Sequence, residues 1–381
     1  MEKQREQREL AGCFAGGRIP ARAALLLALA MLLGAQTRKT ENIVLVTADG
    51  LRWQEVFRGI DPLLMREKEA GMKEAESLRQ KLWAETAGQR RERLMPFFWN
   101  TLAPGGVALG NRDKGNAVLV TNRYRVSYPG YSELLTCRAQ DEMVRGNDRI
   151  LNPRQTALEF AREKMGLERG QVAVIASWDG FRFLSASREG AIFLNAGLQD
   201  AGGTPRLEEL NRLQYEALTG WQGVRHDSVT VEMALEYLKH YRPRLLYVAL
   251  DETDDWAHDR RYDRVLAMAQ YFDRALEMIW RTVQSMDGYR DRTTLLVAAD
   301  HGRGSRLQDW SRHGAKVKGA EYIWMAALGP DTPARGEGTA AEPVYQRDFA
   351  ATLLALLGLP WQEFCGGQGR PVGLMVNAGG R

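Results

Sequence analysis

The chain has 381 residues, 44% of them apolar and 26% charged, the balance of an ordinary soluble globule with a substantial core. Its 52 basic and 48 acidic side chains leave a net charge of +4. No basic block or arm stands out, so nucleic acid is not an expected partner. The length exceeds an average domain but suits one large α/β unit, and no pattern sets an oligomeric state.

At the start of the chain, basic residues including Arg18 and Arg22 precede the apolar stretch Ala23–Gly34, and Ala35 follows. That is the three-part layout of a signal peptide over residues 1–35, which leaves 36–381 as the mature, exported chain, periplasmic or secreted. The stretch is shorter than the roughly 20 residues of a membrane span, so no stable membrane domain is expected, an uncleaved anchor being the alternative. Leu10-Ala11-Gly12-Cys13 spells a lipoprotein box, but it precedes its hydrophobic stretch instead of following it. Export leaves Cys137 and Cys365, either bridged or as two buried thiols. Neither sits in a CxxC or Cys/His pattern, which argues against thiolate metal chemistry.

In chain order, Asn42–Thr47 is a short unbroken apolar run that reads as a buried strand. Met65–Arg93 is charged throughout and reads as a surface helix or helical insertion. Thr156–Met165 is helical by its three- and four-residue apolar spacing, and Gln171–Ala176 is a second strand. A helix over Ser228–Tyr241 then leads to the strand Leu245–Leu250. The helix Arg261–Met286, the strand Thr293–Ala299 and the strand Tyr322–Leu328 come next. Gly329–Pro343 is a polar loop before a last helix over Gln346–Leu357. Alternating strands and helices make a layered α/β sandwich with a largely parallel sheet.

The residues that end the strands carry the chemistry. The first runs into Asp49-Gly50, the third into Asp251-Glu252-Thr253-Asp254-Asp255-Trp256-Ala257-His258, and the fourth into Asp300-His301-Gly302. In open α/β sheets ligand sites form beyond the carboxyl ends of the strands. Of five histidines, His258, His301 and His313 lie in or near these segments; His226 and His240 do not. One such residue alone is ordinarily a cap or turn residue, but three strand ends delivering Asp or His to one edge outweigh that reading. Asp254 and His258 are one helical turn apart and so share a face. Mixed carboxylate and imidazole donors suit zinc and, with more oxygen, manganese.

A nucleophile candidate, Ser127, opens the segment SYPGYSELLT. Pro129 and Gly130 suit a tight turn before a helix beginning near Tyr131, whose N-terminus would favour an anionic phosphate. Local sequence alone favours Ser127 as that helix's cap.

The ordered set resembles the alkaline phosphatase superfamily: Asp at a first strand end, Ser before a helix, Asp-x3-His, Asp-His and a late His. SYPGYSELLT resembles the nucleophile region of its nucleotide pyrophosphatase/phosphodiesterase branch, where Thr stands in place of Ser127. AADHGRG, with Trp310 to Gly314 after it, resembles a bacterial phosphatase-like subgroup. The resemblance runs from Asn42 to about Gly358 and implies a three-layer α/β/α sandwich holding two divalent metals. It puts Asp49, Asp300, His301 and Ser127 on one metal, and Asp254, His258 and His313 on the other, with Asp255 as the alternative to Asp254. It implies a metal-dependent hydrolase of phosphate esters, a phosphatase or phosphodiesterase acting on a small phosphorylated substrate. Asn147 or Asn152 would hold a phosphoryl oxygen, and Arg125, Arg303 or Arg306 would grip a monoester. Asp251, Glu252 or Asp255 would orient a ligand imidazole. The C/S-x-P-x-R motif of sulfatases is absent at both Ser127 and Cys137. The alternatives are a phosphomutase of the same superfamily and a non-catalytic exported binding protein.

Overall fold

Predominantly apolar runs without alternation are buried on both faces, and these runs build the middle of the sheet. The computed structural model describes residues 38–377 apart from 74 and 341, so the leader expected over 1–35 lies outside the described residues. Arg38–Asn377 form one compact unit. Its strands are β1 (Asn42–Ala48), β2 (Val107–Leu109), β3 (Val118–Leu119), β4 (Val172–Ala176), β5 (Phe193–Ala196), β6 (Leu245–Leu250), β7 (Thr293–Ala298), β8 (Tyr322–Ile323), β9 (Met325–Leu328), β10 (Gly336–Glu337) and β11 (Val344–Tyr345).

Eight strands form one sheet in the order β10-β2-β9-β7-β1-β6-β4-β5, and β11-β3-β8 form a small second sheet. In the large sheet only β9 runs against the others. Every residue of β1, β6 and β7 is buried, with β1 between the other two. Helices include α1 (Ser127–Thr136), α2 (Asp227–Tyr241), α3 (Glu252–His258), α4 (Tyr262–Ser285) and α5 (Asp348–Leu356). The expected α/β/α sandwich with a largely parallel sheet is therefore present. Among the described residues no helix is long and apolar enough to cross a membrane.

One expectation is corrected. Tyr322–Leu328 is not one strand: β8 joins the small sheet and β9 runs antiparallel to β7. Trp324 divides them, fully buried, with its indole N–H donating to the Leu51 carbonyl at 2.9 Å. A buried indole needs such an acceptor, and turning toward it takes the chain from one sheet to the other. Met65–Arg93, expected as a surface helix or a helical insertion, is helical in more than one piece. It holds helices at Ala75–Leu82 and Ala87–Leu94, the second opened by a capping box between Thr86 and Gln89. The loop after β9 also contributes β10, which pairs with β2.

Cys137 and Cys365, left open by the sequence, are joined as a disulfide across 228 residues of chain.

Candidate metal centre and nucleophile

Because β1, β6 and β7 are parallel neighbours, their carboxyl ends lie side by side, and the residues after each strand converge. Asp49 succeeds β1, Asp300 and His301 succeed β7, and α3 leaves β6 carrying Asp254 and His258 on one face. The residues form two groups, Asp49 with Asp300 and His301, and Asp254 with His258 and His313, each tight enough to hold a metal ion.

The first group is sealed from solvent. His301 Nε2 lies 3.3 Å from Asp49 Oδ1 and 3.5 Å from Asp300 Oδ2, and none of these three buried atoms has a hydrogen-bond partner. Stranding such atoms costs about 1–3 kcal/mol each, more when charged. A divalent cation among them would remove that cost, so the donor set fits a metal. The remaining atoms of these side chains are all engaged. Asp49 Oδ2 accepts from the Tyr131 hydroxyl at 3.1 Å, Asp300 Oδ1 accepts from Gly50 N–H at 3.0 Å, and His301 Nδ1 faces the Gly302 carbonyl at 3.1 Å. A carbonyl only accepts, so Nδ1 carries a proton and Nε2 is the atom left to bind a cation once its own proton is displaced.

The second group is more open. His258 Nε2 lies 3.0 Å from Asp254 Oδ2 and 2.9 Å from His313 Nε2. His313 Nδ1 donates to the Arg125 carbonyl at 3.1 Å, which again leaves Nε2 as the ligand atom. The His301 and His313 rings stack with centroids 4.0 Å apart, so the two groups adjoin.

The segment around Ser127 touches both groups, through Gly130 at the Asp300 carbonyl and through the Arg125 carbonyl at His313. Ser127 is the first residue of α1, four residues earlier than the start expected near Tyr131, since Pro129 is tolerated in a first helical turn. It is not the cap: the cap position is Val126, and no side chain caps there. Instead Asn147 Oδ1 accepts from Tyr128 N–H at 2.9 Å. Two contacts fix the helix start against the metal groups. A Cβ on Gly130 would come within 2.4 Å of the Asp300 carbonyl, and the Arg125 carbonyl, two residues before Ser127, holds His313. Ser127 is buried, and its hydroxyl is not committed to any hydrogen bond among the described residues.

The metalloenzyme superfamily model matches residues 195–335, the stretch that holds Asp254, His258, Asp300, His301 and His313. Solved structures with the same fold include Ps i-CgsB in complex with k-i-k-neocarrahexaose, at 14% identity and a TM-score of 0.53, over 87% of this chain and 75% of that one. A 2-O GAG sulfatase matches at 12% identity and 0.52, over 86% and 74%. A phosphonate monoester hydrolase from Silicibacter pomeroyi matches at 12% and 0.52, over 86% and 77%. No curated protein matches the chain. Over residues 195–335 the chain is similar to the metalloenzyme superfamily, and its mixed α/β fold is that of these solved structures.

In that fold the electrostatics suit cations. Burial and the neighbouring Asp49 raise the Asp300 carboxyl, so it resists ionising without a countercharge. Burial opposes charging His301, but the carboxylates of Asp300 and Asp49 outweigh it and lift the imidazole to about 9. Burial and His301 push His313 well below the ordinary imidazole range and lower His258 as well, keeping both neutral, the ligand form.

Several expectations for neighbouring residues do not match their surroundings in this site. Arg303, a candidate for gripping substrate, is 2% exposed and spends its donors inward, on the carbonyls of Gly50 (3.1 Å), Ser311 (2.6 Å) and Asp254 (3.1 Å) and on the Asp254 carboxylate. It positions Asp254. Arg125 pairs with Glu321, and Arg306 with Asp309. Asn152 is buried in a network with Gln140, Ser132 and the Leu184 carbonyl, whereas Asn147 stands exposed beside the start of α1. Glu252 pairs with His226 at 2.5 Å and so does not orient a ligand imidazole, whereas Asp255 interacts with both Asp251 and His258.

Other supports left no mark that the sequence could show. Tyr131 holds Asp49, the Thr253 hydroxyl donates to the Asp49 carbonyl at 2.5 Å, and Gln346 donates to the Asp300 carbonyl at 2.6 Å. Gly50 is required by two facts at once: its φ is +56°, and a Cβ there would lie 2.6 Å from Asp254 Oδ1. An Asp-Gly pair closing a buried strand was the one signal in the sequence for such a close approach.

Proposed function

We propose that the protein is an exported, metal-dependent hydrolase of phosphate esters, with Ser127 as nucleophile and Asp49, Asp300, His301, Asp254, His258 and His313 as metal ligands. The observation that carries this reading is Ser127 itself. It opens α1 without serving as a cap, on a helix start tied to Asp300 on one side and to His313 on the other. Two divalent cations, zinc first by the mixed donors and manganese second, would ease loss of the Ser127 proton and neutralise charge on the attacking and leaving oxygens.

The chain's own groups do the rest. Ser127 Oγ forms a bond to phosphorus as the bond from phosphorus to the leaving alcohol breaks in line. In the first turn of α1 Tyr128 N–H is taken by Asn147 and Pro129 has no N–H, so the Ser127 N–H is the backbone donor for a phosphoryl oxygen, and Asn147, its Oδ1 already used by Tyr128, offers its amide N–H beside it. Water then cleaves the seryl ester, giving phosphate and free Ser127.

The solved structures of like fold include sulfatases as well as a phosphonate monoester hydrolase, so the choice of phosphate over sulfate rests on the chain. Four residues after Ser127, where the sulfatase motif has arginine, stands Tyr131, bound to Asp49. The intact set of ligands weighs against a non-catalytic binding protein. A phosphomutase would return no phosphate to solution. Export is supported by the Cys137–Cys365 bridge, which suits an oxidising compartment.

A panel of 4-nitrophenyl phosphate, bis-4-nitrophenyl phosphate, 4-nitrophenyl sulfate and phenylphosphonate esters, run on metal-loaded protein, tests the reading. A phosphate ester should be turned over fastest, with two divalent ions per chain by elemental analysis. Ser127→Ala should lower turnover by at least about 10³-fold without loss of metal. Sulfate turnover exceeding phosphate turnover, or full activity in Ser127→Ala, would overturn it.

A further inference from the structure

Beyond the metal groups lies a cavity of about 370 Å³ whose wall carries Arg149, Arg169, Arg182 and Arg188 against a single carboxylate, Glu189. That volume is typical of a small-molecule site. None of the metal-ligand or nucleophile residues lines it. Half of its positive charge is already neutralised: Arg149 pairs with Asp179 at 3.1 Å, and Arg188 with Glu163 and Glu159. The other half is not. Arg169 donates to the Ile192 carbonyl at 3.1 Å, and the exposed Arg182 side chain has no partner among the described residues. Phe183 and Leu151 give the same cavity an apolar face, and the Arg149 guanidinium lies 5.8 Å from the centre of the Phe183 ring. A ring-shaped, uncharged body against Phe183 and an anionic substituent among the guanidiniums would match both halves of the wall.

The cavity is coupled to the nucleophile by one loop. Asn147 binds Tyr128 N–H, the Tyr128 hydroxyl donates to the Ile150 carbonyl at 2.8 Å, and Asn152 N–H donates to the Phe183 carbonyl at 2.8 Å. The loop thus begins beside Ser127 and ends on the cavity wall. Two residues of extended chain span at most about 7 Å, which bounds the distance from the Asn147 backbone to that of Arg149.

We propose that this cavity is a subsite for a second anionic group on the substrate. The substrate class is then an ester of a sugar-sized ring that carries a further phosphate, sulfate or carboxylate. This rests on the assignment of Ser127 as the reacting end. Binding energy from the remote anion would raise kcat/KM for such esters over singly charged ones.

The test is calorimetric titration of metal-loaded Ser127→Ala protein with hexose 6-phosphate, hexose 1,6-bisphosphate and a trisulfated disaccharide. At least one multiply charged probe should bind tenfold or more tightly than the monophosphate, and which one does so distinguishes phosphate from sulfate recognition. Adding Arg169→Ala and Arg182→Ala should abolish the difference. In the protein that keeps Ser127, the same two substitutions should leave turnover of 4-nitrophenyl phosphate unchanged. Equal affinity for all three probes overturns the proposal, as does an advantage that survives loss of both arginines. Absence of any ester turnover by the unsubstituted protein overturns the hydrolase reading alone, because the affinity difference is read without turnover.

Discussion

The two metal groups have similar donors but opposite exposure. Asp49, Asp300 and His301 are 0–1% exposed, whereas the His258 side chain is 50% exposed and those of Asp254 and His313 about a tenth. The buried group hangs directly on the ends of β1 and β7 and is braced by Tyr131, Gly50 and Gln346. The open group sits on a seven-residue helix and a loop. On the proposed function the difference would separate two duties: a buried ion among stranded donors would belong to the fold as much as to the chemistry, while an ion beside a solvent-facing imidazole would exchange and meet water and substrate.

The sharpest way to break that contrast is to substitute in each group. Asp300→Asn removes a charge that two partners are built around, and should lower kcat/KM by at least about 10³-fold with loss of an ion that excess metal does not restore. His258→Ala should also lose an ion on dialysis, but the loss should be reversed by added zinc or manganese, with an affinity reduced at least about tenfold. Elemental analysis before and after dialysis, beside kcat/KM, reads both. Equal rescue in the two variants would remove the distinction.

The buried group was the more legible of the two in the sequence. A largely apolar run without alternation is buried on both faces, so NIVLVT and TTLLVAA announced central strands, and Asp49 and Asp300 marked where they stop. Asp254 and His258 were legible by helical spacing. His313 was a candidate by its nearness to a strand end, but its group came from family resemblance, because its anchor, the Arg125 carbonyl, is 188 residues away. The division of Tyr322–Leu328 between two sheets left no local trace, since apolar character persists across Trp324. The inward turn of Arg303 was hidden for a related reason: an arginine after Asp-His-Gly reads as solvent-facing until its acceptors, Gly50 and Asp254, are brought near by the fold.

A smaller effect comes from charge. The metal-free buried group holds protons that a cation must displace, because the neighbouring carboxylates raise His301 to about 9 and burial raises Asp300. Below about pH 9 an imidazole with that raised value is protonated, so affinity should climb with pH, roughly tenfold per unit for each proton released, and level off above it. His258 and His313 are shifted the other way and are already neutral near pH 7, so the open group should show no such climb there. Titrating metal into wild type and His258→Ala at several pH values, in two buffers of different ionisation enthalpy, separates the groups. A pH-independent buried group would contradict the assignment.

The smallest effect probes the brace. Tyr131 is fully buried in α1, and its hydroxyl donates to Asp49 Oδ2 while Asp49 Oδ1 faces His301. Tyr131→Phe keeps the ring that packs 4.7 Å from Phe181 and deletes only the hydroxyl. One hydrogen bond to a charged group is worth about 1.5–3 kcal/mol, but with the cation in place the freed carboxylate oxygen gains a second route to satisfaction. The expected cost is therefore at most about tenfold in metal affinity, with kcat nearly unchanged at saturating metal. A fall in kcat at full metal occupancy would mean that Tyr131 aims α1, and with it Ser127, at the reacting phosphorus. The helix start would then depend on the buried group, and the two metal groups would no longer be separable in duty.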